Sequence, residues 1–183
     1  KLFRYNTVTN TFDDTLSGTN PTDSLRELDM AVVKGTGQST SGSIAMAINN
    51  TTNATRAVVY LYDKVANSWT STIIGYTNKA ATYVHIISDD FGNLYCNWVD
   101  QSATVGTSTC AVKKLNAGQT TLWYELKNPA TVRGVDEPTN NTNIGIASGS
   151  TLPYIIYTKA NLTANLNTPI VRKYDTPAGT API

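Results

Sequence analysis

Short apolar runs of about five or six residues alternate along this chain with clusters of Asn, Asp, Ser, Thr and Gly. That rhythm predicts strands joined by turns. It is clearest between residues 58 and 100. Residues 58–62 combine Val58, Val59, Tyr60, Leu61 and Tyr62. Such β-branched and aromatic side chains fit a pleated surface and crowd a helix. Residues 63–68 break the run with turn formers, and 69–74 predict a second strand that Gly75 ends. Residues 83–88 and 94–99 predict a third and a fourth. Between them, Asp89-Asp90-Phe91-Gly92-Asn93 predicts a tight turn, because Asp side chains bond nearby amides and Gly takes positive φ freely.

The same rhythm continues on both sides. Strands are predicted over 1–6, 11–16, 42–48, 110–115, 122–126, 144–147, 153–158 and 170–175, with polar loops over 49–55, 128–143 and 161–168. Residues 23–33 are mixed. Ser24 and Glu27 have capping-box spacing, Leu25 and Leu28 share a helix face, and Met30 to Val33 continue as an apolar run. The expectation is one helical turn leading into a strand.

Aligned by their turns, the segments repeat. Phe3-Arg4-Tyr5-Asn6, Tyr60-Leu61-Tyr62-Asp63, Lys113-Lys114-Leu115-Asn116 and Arg172-Lys173-Tyr174-Asp175 occupy one position, and Phe12, Trp69 and Trp123 the next. The spacing is roughly 53 to 59 residues, somewhat longer than the ~40 to 50 of familiar four-stranded blades. The fold expected is all-β: three four-stranded antiparallel units over 1–57, 58–110 and 111–169, an extra strand over 170–175, and a mobile tail over 176–183. A β-trefoil or a β-sandwich is the alternative. The trefoil needs no extra strand.

Composition narrows the function. Charged residues are 15% of the 183, and the formal net charge is +1 with no basic block, which argues against a nucleic-acid partner. No apolar run approaches the roughly 20 residues of a membrane helix. The strand-like opening at residues 2–5 implies that any secretion signal lies outside these residues. Polarity carried by Thr, Asn and Ser suits an extracellular protein. Asn50, Asn53, Asn140 and Asn161, with Asn49, fit the N-glycosylation pattern and fall in predicted loops. Cys96 and Cys110 lie on consecutive predicted strands, so a hairpin disulfide is expected, worth about 3 kcal/mol for a loop of that size. Two buried thiols are the other reading.

Catalytic chemistry is sparse. The single histidine, His85, stands mid-strand and reads as structural. Asp89-Asp90 and Asp13-Asp14 read as turn formers, and Asp136-Glu137 as a turn or a loop cation site. No metal-ligand spacing, nucleophile motif or phosphate loop occurs. No cofactor and no enzymatic activity are expected. Glycan binding fits better, since sugars offer C–H faces to aromatic rings and hydroxyls to polar side chains. Trp98, Tyr124 and Tyr95 are the candidate rings, with Asn97, Arg133, Asp100 and Glu125 as polar partners. Trp69 and Trp123, recurring at one repeat position, read as core.

These features resemble a β-propeller repeat. Asp89 to Tyr95, Asp-x-x-Gly-Asn-Leu-Tyr, is similar to the hairpin of many bacterial propeller repeats, and residues 58–74 are similar to propeller lectins. Ser88-x-Asp90-x-Gly92 resembles the sialidase Asp-box, a turn stabiliser there. The resemblance implies a secreted or cell-surface lectin with glycans as partners. Propellers use about 4–8 blades, so three units imply a homo-oligomer or part of a larger repeat chain. The other functional expectation is a structural or adhesive subunit joined to its neighbours by strand pairing. A glycoside-processing enzyme is the remote third.

Overall fold

In the computed structural model, which describes residues 4–13, 25–35, 40, 42–50, 56–64, 66, 68–76, 80–101, 108–126, 139–161 and 166–174, every regular element is a strand. In chain order they are β1 (Arg4–Asn6), β2 (Thr11–Asp13), β3 (Leu25–Val32), β4 (Ile44–Asn50), β5 (Arg56–Asp63), β6 (Ser68–Ile73) and β7 (Ala81–Ser88). Then follow β8 (Leu94–Asp100), β9 (Thr109–Leu115), β10 (Trp123–Glu125), β11 (Thr139–Gly145), β12 (Tyr154–Asn161) and β13 (Leu166–Lys173).

They form four antiparallel meanders. One is the hairpin β1-β2. Two are four-stranded sheets, β3-β4-β5-β6 and β7-β8-β9-β10, and one is the three-stranded sheet β11-β12-β13. None closes into a barrel. The second and third sequence repeats begin on the third strand of one sheet and run into the second strand of the next, while the first begins on the β1-β2 hairpin. The repeat survives as register: Tyr5 pairs Phe12, Tyr62 pairs Trp69, and Leu115 pairs Trp123. Their surroundings differ. Phe12 is 73% exposed, Trp69 half-buried against Tyr60 and Tyr62, and Trp123 sealed in the core.

Three expectations are corrected. The helical turn over 23–33 is not there among the described residues: β3 is strand from Leu25 onward. Leu28, Met30 and Val32 alternate with Glu27, Asp29 and Ala31, and the first set pairs with Ile48, Met46 and Ile44. The polar alternates also find partners. Glu27 Oε2 accepts from Val84 N (3.2 Å) and Asp29 Oδ2 from Ile86 N (2.9 Å), both on the open edge of β7. Carboxylates that satisfy a neighbouring edge strand outweigh a local capping pattern.

Loop assignments also shift. Asn49 and Asn50 are buried at the end of β4, Asn140 lies within β11 and Asn161 ends β12. The Asn-rich start of β11 pairs with the apolar β12, placing Thr142 and Ile144 inward and Asn141 and Asn143 outward. Buried Asn50 offers no glycan acceptor on this folded surface. Asn53 lies outside the described residues, as does the tail 176–183.

The expected disulfide is absent, and both cysteines are free and buried. The register explains it. Cys96 pairs with Lys113, and Cys110 with Val99. They are offset by an odd number of places, so their side chains leave opposite faces of the sheet. Cys96 enters one core and Cys110 another. Burial raises both thiol pKa values, that of Cys110 to about 11, so both stay protonated and inert.

The three larger sheets stack face to face in chain order. The first core joins Ala45, Ala47, Ala57, Val59 and Leu61 of the β3–β6 sheet to Ile86, Leu94, Cys96, Trp98, Leu115 and Trp123 of the β7–β10 sheet. A small-residue face thus meets a large-residue face. The second core joins Tyr95, Cys110 and Val112 to Ile144, Ile155, Tyr157 and Tyr174 at the β11–β13 sheet. At both junctions the first strand of the later sheet crosses the first three strands of the earlier one: β7 lies on β3, β4 and β5, and β11 on β7, β8 and β9.

Candidate functional site

The β7–β8 turn draws the three larger sheets together. Asp89, fully buried, accepts from Phe91 N, Asn93 N and Asn93 Nδ2 at 2.6 to 3.0 Å. The Tyr95 hydroxyl sits 3.0 Å from Asp89 Oδ2 and 2.6 Å from the Thr151 carbonyl. Asp90 turns outward. Its Oδ2 accepts from Ser148 Oγ and Gly149 N, both at 2.7 Å, and its Oδ1 faces Lys34 Nζ at 3.4 Å. The Ser148 bond first, then those from Gly149 and Lys34, hold its pKa below the usual carboxylate value. Gly35, at φ +87°, brings the β3–β4 connection so close that a Cβ would lie 2.8 Å from the Phe91 carbonyl carbon. The paired carboxylates are therefore turn formers, and one of them is also an inter-sheet tie.

His85 has a similar role. Its Nδ1 lies 3.5 Å from Asp29 Oδ2, linking β7 to β3. It follows a bulge between Thr82 and His85 where Tyr83 adopts φ +54°, a conformation that costs a non-glycine residue energy.

The residues singled out for glycan binding are dispersed. Trp98 is fully buried in the core between the β3–β6 and β7–β10 sheets. Tyr95 and Asn97 are fully buried on the opposite side of β8, where Asn97 Nδ2 donates to Thr142 Oγ1 at 2.7 Å. Asp100 and Glu125 are buried too, and Tyr124 is half-buried. Arg133 lies outside the described residues, as do Asp136 and Glu137. Trp98, Tyr95 and Asn97 thus present no surface on which a sugar can stack. Alternation along β8 divides them between two cores, because all seven of its residues are buried.

One strongly perturbed ionisable group was not among the expected ones. Lys113 is buried, and its Nζ donates to the Ile74 carbonyl at 2.5 Å and lies 4.8 Å from the Tyr76 ring centre. Tyr76 donates to Glu125 Oε1 at 2.5 Å. Burial pulls the Lys113 pKa down to about 8, against the opposing pull of Glu125, Cys96 and Asp100, while Arg56 lowers it further. The cluster clamps the β6 end onto the β7–β10 sheet. Its sequence signal was faint: Lys113 holds the place of Tyr60 in the repeat, a core position. Among the described residues, no group of three His, Cys, Asp or Glu side chains could hold a metal ion.

Two surface features remain. A hydroxyl-rich cleft of about 70 Å³ lies between the first two large sheets, lined by Thr40, Ser43, Leu61, Tyr62, Asp63, Thr70 and Thr120. The other is a pair of exposed apolar strips, the first of them beside Met46, Ile48, Val58 and Tyr60, which are buried on the same sheet face. Leu28, Met30 and Val32 of β3 stand exposed on one outer side of the stack, and Ile156 and Val171 on the other. An open groove of about 340 Å³ includes Met30 and Val32 and reaches Ile87 and Ile146 past β7, with Lys34 among its lining residues.

No protein-family model matches the chain, and no curated protein matches it.

Proposed function

We propose that this chain is a non-enzymatic, extracellular β-repeat subunit whose blade-like sheets, stacked in the manner of a propeller segment, associate with further sheets of the same kind. One observation carries the reading. Val59, Val112 and Val171 hold the same repeat position, and the first two are sealed between sheets while Val171 is 64% exposed. Sheet faces of this kind are buried wherever a neighbour is present, and a bare one is a docking surface. Low charge and the Asn/Thr-rich composition support an extracellular setting. Light scattering on the purified chain tests the reading. Oligomers that persist at micromolar concentration are expected, and a monomer at all concentrations would refute it.

The hydroxyl-rich cleft favours a second reading, glycan binding. Thr40, Ser43, Thr70 and Thr120 with Asp63 offer hydrogen-bonding groups suited to a sugar, and Tyr62 offers an aromatic ring. A glycan array with a Thr70→Val control separates the two readings.

A further inference from the structure

β7 is the first strand of its sheet and pairs by its backbone with β8 alone. Such an edge presents alternate N–H groups that its own sheet leaves unsatisfied, and an edge of that kind is a template for a further strand. Here β3, from a different sheet, lies along it. Glu27 Oε2 accepts from Val84 N at 3.2 Å, and Asp29 Oδ2 from Ile86 N at 2.9 Å. Residues two apart on β3 thus answer residues two apart on β7, the spacing at which a strand turns successive side chains to one side. Asp29 is also fixed in place: its Oδ1 accepts from Met30 N at 2.9 Å, and His85 Nδ1 stands 3.5 Å from its Oδ2. Farther along, Lys34 N donates to Ser88 Oγ at 2.9 Å and carries the row to the end of β7. Side-chain bonds stand where a backbone ladder would.

We infer that Glu27 and Asp29 hold the edge of β7 closed against the addition of another strand. The two N–H groups they engage are the ones an incoming strand has to use, so a strand enters only by displacing both carboxylates. Bonds to an ionised acceptor are roughly twice as strong as those between neutral groups, which puts a neutral backbone carbonyl at a disadvantage. Before Val84 the edge is broken in another way, by the bulge between Thr82 and His85 with Tyr83 at φ +54°. A bulge twists an edge out of register with an incoming strand. The run that remains, Val84-His85-Ile86-Ile87, is rich in β-branched residues and carries no carboxylate of its own. Such a run is prone to strand pairing when its edge is free. The closing charges therefore come from β3, more than fifty positions away.

Two double variants separate edge closure from charge. Glu27→Ala with Asp29→Ala removes both acceptors. Glu27→Gln with Asp29→Asn removes both charges and keeps a side-chain oxygen that accepts an N–H at each place. Hydrogen exchange followed by NMR reads the Val84 and Ile86 amides directly, and thioflavin fluorescence with sedimentation velocity reads strand addition. In the alanine pair the two amides should exchange about tenfold faster than in the wild type or more, and self-association with a thioflavin signal should rise above the wild-type level. The amide pair should stay near the wild type in both. Equal exchange in the alanine pair and the wild type would show that the carboxylates do not engage β7. Self-association of the amide pair as strong as that of the alanine pair would assign the effect to lost charge. Freed amides without added self-association would show that the edge needs no closing. Each of these results overturns the inference. If the alanine pair fails to fold by circular dichroism, Asp29→Ala beside Asp29→Asn gives the same comparison at Ile86. Every readout is a difference from the wild type, so the outcome does not depend on whether the wild-type chain assembles.

Discussion

Val112 and Val171 are the same residue at the same register in two successive sheets. Val112 pairs with Asn97 on β8 and lies under the β11–β13 sheet; Val171 pairs with Ile156 on β12 and has nothing over it among the described residues. Their own strands do not distinguish them. The difference is the next sheet, present in one case and missing in the other. A residue's local pattern sets which way it points, and the order of the stack sets whether anything meets it.

The largest break in that comparison is expected at the most enclosed site. Trp98→Ala empties the core shared by two sheets and should cost about 3–5 kcal/mol by chemical denaturation. A loss under about 1 kcal/mol would mean that the two sheets are not packed as described.

Next comes Lys113, a charge in the same layer. Its folded pKa, about 8, lies below its unfolded value near 10.5. The protonated form therefore favours the unfolded chain, and the penalty is full below pH 8. It is relieved as pH rises from about 8 to 10.5, over which the group contributes up to about 3 kcal/mol. Cys96 and Cys110 act the other way above pH 9, because their thiols hold protons in the fold. Measuring Lys113→Met beside the wild type cancels the cysteine part. The stability difference between the two should shrink as pH rises across that window, and a constant difference would show that Lys113 is not buried as a cation.

The smallest effects sharpen the comparison itself. Val112→Ala should cost about 2 kcal/mol, and Val171→Ala less than about 0.5 kcal/mol when the chain is monomeric. Thermal melts of both at low concentration read this directly. Under assembling conditions the cost at Val171 should rise toward that at Val112.

Much of the fold is legible in the sequence. Most of the described strands have a counterpart in the apolar runs, since strands bounded by Asn, Asp and Gly leave a strong local pattern, whereas the Asn-rich start of β11 reads as loop and is strand only through its pairing with β12. The tight turn at Asp89 is readable for the same reason: its partners lie within six residues. The misses share one cause. β3 resembles a helix start because its carboxylates answer β7, far away in the chain. The cysteines look paired because a shift of register by one place is invisible in a list of strands, yet it reverses every side chain. The aromatic residues expected at a sugar site are marked in the sequence by their type alone. Strands buried on both faces leave no polar alternation to mark an outward side, and β8 is such a strand.

What the sequence determined by itself was local: where strands begin and end, where the chain turns, and that a unit recurs with Tyr5, Tyr62, Leu115 and Tyr174 in one place. Those choices depend on backbone sterics and on neighbours a few residues away. The tertiary structure alone decided which face of each sheet is covered, that Lys113 is buried as a cation, and that Leu28, Met30 and Val32 of β3 and Val171 of β13 stand exposed. Coverage depends on contacts between residues some fifty positions apart, and no local pattern contains them.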